Sequence, residues 1–365
     1  MPVRYSYLAQ QFADCPELWE ELKAFVATGD FTLGKPLVEF ENAFAALIGS
    51  RFAVGVNSGT DAIKLSLRAL GVRPGDEVIT AANTFVATVG AIAEIGAVPI
   101  FVDCNLNFCM DVNEVERVIS GRTKAIVPVH FSGYMTDMPA LMKLARSHDI
   151  PIVEDACQSI LASQDGRNAG TWGNTGAFSL HPLKNINVWS DGGVITTDDP
   201  KVAADLRLLR NHGLIDRDNV SILGFNSRLD TFQAVVGNWL LPKAREISDL
   251  RIRNAEYLDL GLSELEEITI PIRPNGMRIV FHLYSVFCSR RDELLNHCLS
   301  RGIEAKVHYP IPIYRQPALK VFGDTRSYPV ADWLANHSIS FPCDQHLSHQ
   351  ELDEIIGVVR EFYTL

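Results

Sequence analysis

Between Arg51 and about Arg210, short runs rich in Val and Ile alternate with segments of helical period. AVGVN at Ala53 reads as a strand. The helix after it carries Ile63, Leu67 and Leu70 on one face, with Gly71 as its C-terminal cap. RPGDEVIT gives a turn into the next strand, and VPIFVD, KAIVPVH, IPIVED, GAFSL and GGVITT follow, with helices such as PALMKLARSHD between several of them. Strands that are apolar on both faces and separated by helices read as a mostly parallel sheet covered on both sides. The unit is α/β.

After about Leu240 the pattern changes. A charged helix, PKAREISDLRIRNAEYLDLGLSEL, leads to short strands near TIPIRP, HLYSVFCS and IEAKVHYP, and helices DELLNHCLSRG and HQELDEIIGVVREFYTL close the chain. The expected organisation is a large α/β domain over residues 1–245 and a smaller C-terminal α+β domain over 246–365. A net charge of −11, with no run of Lys or Arg longer than two, argues against nucleic acid as a partner. Seven cysteines without a Cys-x-x-Cys indicate neither a zinc site nor a redox motif, and read as reduced thiols. The apolar stretch TFVATVGAIAEIGAVPIFV from Thr84 tempts a membrane reading, but Glu94 and Pro99 divide it into a helix and a strand. The expectation is a soluble, cytoplasmic protein with no metal site.

One lysine stands apart. Lys184 follows the strand GAFSL and Pro182 and precedes the turn SDGG, so it lies in a loop at a sheet edge. Its neighbours Leu183, Ile186, Val188 and Trp189 are apolar. Such surroundings favour the uncharged amine, which can form a Schiff base with an aldehyde. Asp155 lies 29 residues upstream, at the end of the strand IPIVED, where open α/β sheets bind ligands. VNSGTDAIKLSL places Asn57, Ser58, Gly59 and Thr60 where a strand runs into a helix N-terminus, an anion site. An amine, a carboxylate and a phosphate cradle together describe pyridoxal 5'-phosphate (PLP). Each element has a plainer reading: Ser-Gly-Thr-Asp is also an ordinary N-cap, and Glu154 competes with Asp155 for the carboxylate role.

Further motifs occur in order: FTLGKPLVEFENAFAALIGSRFAVGVNSGTDAI, RPGDEVITAANTFVATVGAI, VPVHFSGYMTDM, IPIVEDACQS, SLHPLKN, GFNSRLDTFQA, IEAKVHYPIPIYRQPAL and SISFPCDQHLS. In this series the chain resembles the DegT/DnrJ/EryC1/StrS family of sugar aminotransferases, fold-type I PLP enzymes with an aspartate aminotransferase-like fold. The resemblance implies that Lys184 holds PLP and shuttles the proton. It implies that Asp155 pairs with the pyridine nitrogen and Gln158 lies near the phenolic oxygen. Gly59, Thr60 and Ser179 would hold the phosphate and Phe85 would stack on the ring. Asn226 would reach the phosphate of a neighbouring subunit, giving a homodimer with shared active sites. His308 and Tyr309 would border the substrate pocket, with Arg228 or Arg315 as candidates for a diphosphate. The chain departs from the family pattern at His181, Trp189 and Ser190, which are expected to reshape the substrate side, and His181 is a further candidate there.

The resemblance implies transfer of an amino group from glutamate or glutamine to a keto sugar, nucleotide-linked in most relatives, for amino-sugar or glycan biosynthesis. Free keto sugars, cyclitols and sugar acids are alternatives. Family members that act as sugar dehydratases replace the lysine by histidine, and Lys184 argues against that chemistry. A PLP-binding regulatory protein is a third reading.

Overall fold

The computed structural model describes residues 2–364. Its main sheet is built from β1 (Phe52–Val56), β2 (Glu77–Ala81), β3 (Val98–Val102), β4 (Thr123–Val127), β5 (Val153–Asp155), β6 (Thr175–Ser179) and β7 (Gly193–Thr197). β3, β2 and β4 pair in parallel, and β5, β6, β7 and β1 form a second hydrogen-bonded set in which β5 and β6 are parallel. Parallel bridges Ile126–Ile152 and Val129–Asp155 join β4 to β5, giving the order β3-β2-β4-β5-β6-β7-β1. Only β7 runs against its neighbours, β6 and β1. The mostly parallel α/β expectation holds.

Both faces of this sheet are covered because successive side chains point to opposite sides. On β6, Ala177 packs with Ile63, Leu65 and Leu67 of the helix Gly59–Ala69 and with Val54, Val56 and Ile195. The next residue, Phe178, meets Phe44 of the helix Lys35–Ile48 at 5.2 Å in an edge contact on the other face. Each such fully buried aliphatic or aromatic side chain stabilises the fold by ~1.5–3 kcal/mol. Gly71 ends the Gly59–Ala69 helix at φ +86°, with its N–H on Arg68 O and Val72 N–H on Leu67 O. The stretch from Thr84 divides into the helix Val86–Glu94 and β3.

The C-terminal part carries an antiparallel sheet of β8 (Ile268–Thr269), β9 (Tyr284–Cys288) and β10 (Ser338–Phe341), packed by the helices Ala244–Leu262, Arg291–Ser300, Pro329–His337 and His349–Thr364. Two expected strands differ. Pairing near TIPIRP stops at Thr269, because Pro271 and Pro274 offer no N–H to a ladder. IEAKVHYP makes only the isolated bridges Val3–Ile303 and Lys306–Ser340, and its last residue, Pro310, with Pro312 beyond it, prevents extension. The expected boundary at 245/246 falls in the first turn of the helix Ala244–Leu262. Among the described residues no helix is long and apolar enough to cross a membrane.

Candidate active site

Parallel strands place all their C-terminal ends on one edge of the sheet, so the loops that leave them converge. Ser58–Thr60 follow β1, Phe85 follows β2, Asp155–Gln158 end β5, and Ser179–Lys184 leave β6. These loops line one cavity of about 370 Å³, closed on its far side by His282, Leu283, His308 and Tyr309 from the C-terminal part. A hollow of about 510 Å³ elsewhere, between Phe101–Cys104 and Arg326–Val330, contains none of the expected site residues.

The anion cradle is built by close approach. Ser58 caps the helix Gly59–Ala69, its Oγ accepting from Asp61 N at 3.1 Å, so the first-turn N–H groups of Gly59 and Thr60 have no carbonyl a turn earlier. A Cβ on Gly59 would lie 2.7 Å from Ser179 Cβ and 2.9 Å from Cys157 Sγ. A Cβ on Gly193 would lie 2.2 Å from Ser58 O. Two glycines thus let three backbone segments meet around one small space. Behind the cradle, Ser227 donates to Asp61 Oδ2 at 2.6 Å, which ties the segment bearing Asn226 to this turn.

The adjacent carboxylates on β5 have opposite fates. Glu154 is fully buried and accepts from the N–H groups of Gly170, Trp172 and Gly173 at 2.6–2.8 Å, and from His130 Nε2 at 2.9 Å. His130 Nδ1 accepts from Thr136 N at 3.3 Å, so the Nε2 proton faces the carboxylate. Glu154 is saturated and turned away from the cavity. Asp155 lines it, with Oδ2 accepting from Thr88 Oγ1 at 2.7 Å and Oδ1 from Cys157 N at 3.2 Å. The competition left open by the sequence is resolved by strand alternation.

Lys184 projects into the same cavity, its backbone N–H held by His181 O at 2.8 Å. Burial lowers its amine below the usual lysine value, against the opposing pull of Cys157 and Asp155. His282 and His308 stand nearby, and burial holds both imidazoles neutral, His308 down to about 4. His308 Nδ1 is engaged by Ser340 Oγ at 3.0 Å. The carbonyls of Phe281 and His282 are both held by the buried guanidinium of Arg251 at 3.0 Å, which fixes the loop carrying His282. Gln158 is oriented too. Its Oε1 accepts Ser132 N at 2.7 Å, so its amide N–H groups face the cavity and Tyr309. The rings of Phe85 and Tyr309 lie 5.8 Å apart across the opening.

Ten of the expected residues therefore share one cavity: Gly59, Thr60, Phe85, Asp155, Gln158, Ser179, His181, Lys184, His308 and Tyr309. Asn226 and Arg228 do not line it within this chain. Asn226 is exposed and bridges to Asn211, whose side chain accepts from Arg228 at 3.0 Å. Arg315 pairs with Asp332 at 2.5 Å, away from the cavity. Trp189 is a correction. Although close to Lys184 in sequence, its indole turns away and packs against Trp19 at 5.2 Å, Phe12 at 5.7 Å and Phe232 at 6.1 Å. Apolar neighbours on the N-terminal helix Pro16–Thr28 and on Thr231–Leu240 draw it there. The reading of the sequence missed Thr88, His282 and Cys157. Thr84 and Thr88, four residues apart beside Phe85, were the available signal for the first. His282 and Cys157 carried none.

The donor set fits PLP: first-turn N–H groups for a phosphate, an aromatic wall, a carboxylate on the floor and a desolvated amine. The DegT/DnrJ/EryC1/StrS aminotransferase family model matches residues 14–360. The chain is 39% identical, over 96% of its length and 95% of the relative's, to dTDP-3-amino-3,4,6-trideoxy-alpha-D-glucose transaminase of Streptomyces venezuelae. It is 38% identical, over 90% and 89%, to UDP-N-acetyl-3-dehydro-alpha-D-glucosamine 3-aminotransferase of Acidithiobacillus ferrooxidans. The fold superimposes on the crystal structure of S. venezuelae DesV in complex with a ketimine intermediate with a TM-score of 0.96, at 37% identity, covering 99% of this chain and 98% of that one.

Proposed function

Because the chain belongs to the DegT/DnrJ/EryC1/StrS aminotransferase family, whose enzymes use PLP, we propose that it moves an amino group from glutamate or glutamine to a nucleotide-linked keto sugar. The observation that carries this reading is the desolvated amine of Lys184 in one cavity with Asp155 and the Ser58–Thr60 cradle. The relatives named as dTDP- and UDP-sugar aminotransferases support the nucleotide-linked substrate over a free keto sugar, cyclitol or sugar acid.

PLP, when bound, supplies an aldehyde that takes up the donor's amino group and a ring that accepts electrons from its α-carbon. Lys184 Nζ, readily unprotonated in its buried place, takes the α-proton and returns it. Asp155 holds a proton on the ring nitrogen, and Gln158 donates to the phenolic oxygen. The N–H groups of Gly59 and Thr60, with the Ser179 hydroxyl, hold the phosphate, while Phe85 covers the ring. His181, His308 and Tyr309 border the sugar. Asn226 reaches the phosphate of a second copy, so the working form is a homodimer with shared sites, acting in the cytoplasm. The division into residues 1–245 and 246–365 belongs to the same reading, with the substrate entering between the two parts.

The test is a screen of amino donors and keto sugars on the PLP-loaded protein, followed by the visible absorbance band. Glutamate or glutamine should shift the band and a nucleotide-linked keto sugar should reverse it. A band that no donor changes supports a binding protein without turnover. Lys184→Ala should abolish turnover, and turnover that survives it sinks the mechanism.

A further inference from the structure

We propose that Thr88 is a positioning residue: a directed hydroxyl chain, Thr84 to Thr88 to Asp155, sets the face that the Asp155 carboxylate presents to the cavity. The inference rests on the reading of Asp155 as the partner of the ring nitrogen. Thr88 Oγ1 lies 2.7 Å from Asp155 Oδ2 and 2.6 Å from Thr84 Oγ1, and both threonines are buried. An ionised carboxylate only accepts hydrogen bonds, so the Thr88 proton is committed to Asp155. The Thr88 oxygen must then accept from Thr84, and the direction of both protons follows.

A threonine inside a helix ordinarily spends its hydroxyl on the carbonyl one turn back. Thr88 instead reaches to a strand 67 residues away in sequence. With Cys157 N on Oδ1, the carboxylate is gripped at both oxygens, and its remaining lone pairs point into the cavity. Thr88 also stands in the first turn of the helix Val86–Glu94, whose N-cap is Phe85. One turn of helix thus fixes both the aromatic wall and the carboxylate, and the spacing between them is built in.

The test uses the full-length protein, stripped of and reloaded with PLP labelled with ¹⁵N at the ring nitrogen. Two quantities are read: PLP affinity of the apo-protein from the quenching of its fluorescence, and the ¹⁵N shift of the bound ring. Thr88→Val, which keeps the shape and removes the hydroxyl, should weaken PLP about tenfold and move the shift towards that of an unprotonated ring. Thr88→Ser should restore both, and Thr88→Ala substitutes for the valine variant if that one does not fold. Asp155→Asn separates the two claims. If it moves both readouts while Thr88→Val and Thr88→Ala leave them as in the wild type, the role of Thr88 is wrong and that of Asp155 stands. If Asp155→Asn moves neither, the reading of Asp155 fails and Thr88 falls with it.

Discussion

Neighbouring carboxylates on β5 should separate stability from chemistry when each is converted to its amide. In Glu154→Gln the shape is kept but one oxygen becomes an NH₂ group facing donors. If the amide oxygen keeps Trp172 N and Gly173 N, the new NH₂ abuts Gly170 N and His130 Nε2, and two buried bonds are replaced by donor–donor contacts. The opposite flip loses the other pair. A buried hydrogen bond to a charged group contributes ~1.5–3 kcal/mol, so two such losses amount to roughly 3–6 kcal/mol. His130 can recover one contact by shifting its proton to Nδ1, but Thr136 N then faces that proton. The lower end, about 3 kcal/mol, is therefore the expectation, a large part of the ~5–15 kcal/mol typical of a folded domain. Asp155→Asn should cost ~1 kcal/mol or less in the apo-protein, because the amide oxygen can keep Cys157 N while its NH₂ donates to the Thr88 hydroxyl, whose own proton turns to Thr84 Oγ1. Urea unfolding of apo-protein gives the stability and amino-transfer assays give the chemistry. Glu154→Gln should fall in stability while its folded fraction, saturated with PLP, keeps wild-type turnover per site. Asp155→Asn should do the reverse. A Glu154→Gln protein within 0.5 kcal/mol of wild type (about the scatter expected of a neutral surface change) would refute the structural role of Glu154.

Two further outcomes follow from the same geometry. Gly59→Ala drives a Cβ to 2.7 Å from Ser179 and 2.9 Å from Cys157, so it should cost ~1–3 kcal/mol and weaken PLP binding more than tenfold; Gly90→Ala, with nothing within 4 Å, should not destabilise and serves as the control in the same titration. His308 sits at about 4 in the fold against 6.5 for the free imidazole. Above pH 6.5 neither state carries its proton; as pH falls towards 4 only the unfolded chain takes it up, and the fold loses roughly 1–3 kcal/mol, allowing for partial exposure to the cavity. Urea midpoints between pH 7.5 and 4.5 should therefore fall less steeply for His308→Gln than for wild type, and parallel slopes would contradict the assignment.

The fold was legible because its signal is local. Val/Ile runs alternating with helical periods leave few arrangements other than a covered parallel sheet, and the loops at its C-terminal edge were then bound to meet. Lys184, Asp155 and the Ser58–Thr60 turn were readable for that reason, each lying at the end of a strand the pattern identifies. What failed to show was decided by contacts distant in sequence. Trp189 stands five residues from Lys184, yet the aromatic residues that draw it away lie near positions 12, 19 and 232. Asp155 and Glu154 look interchangeable until strand alternation is combined with the backbone N–H groups of Gly170–Gly173, which only the fold brings to Glu154. Thr88 is the sharpest case. Its four-residue spacing from Thr84 is visible, but two threonines flanking a helix start are ordinary until Asp155 arrives against one of them. A residue whose work is to hold another's side chain carries no chemical signature of its own, so positioning residues are the part of a site that a single sequence shows last.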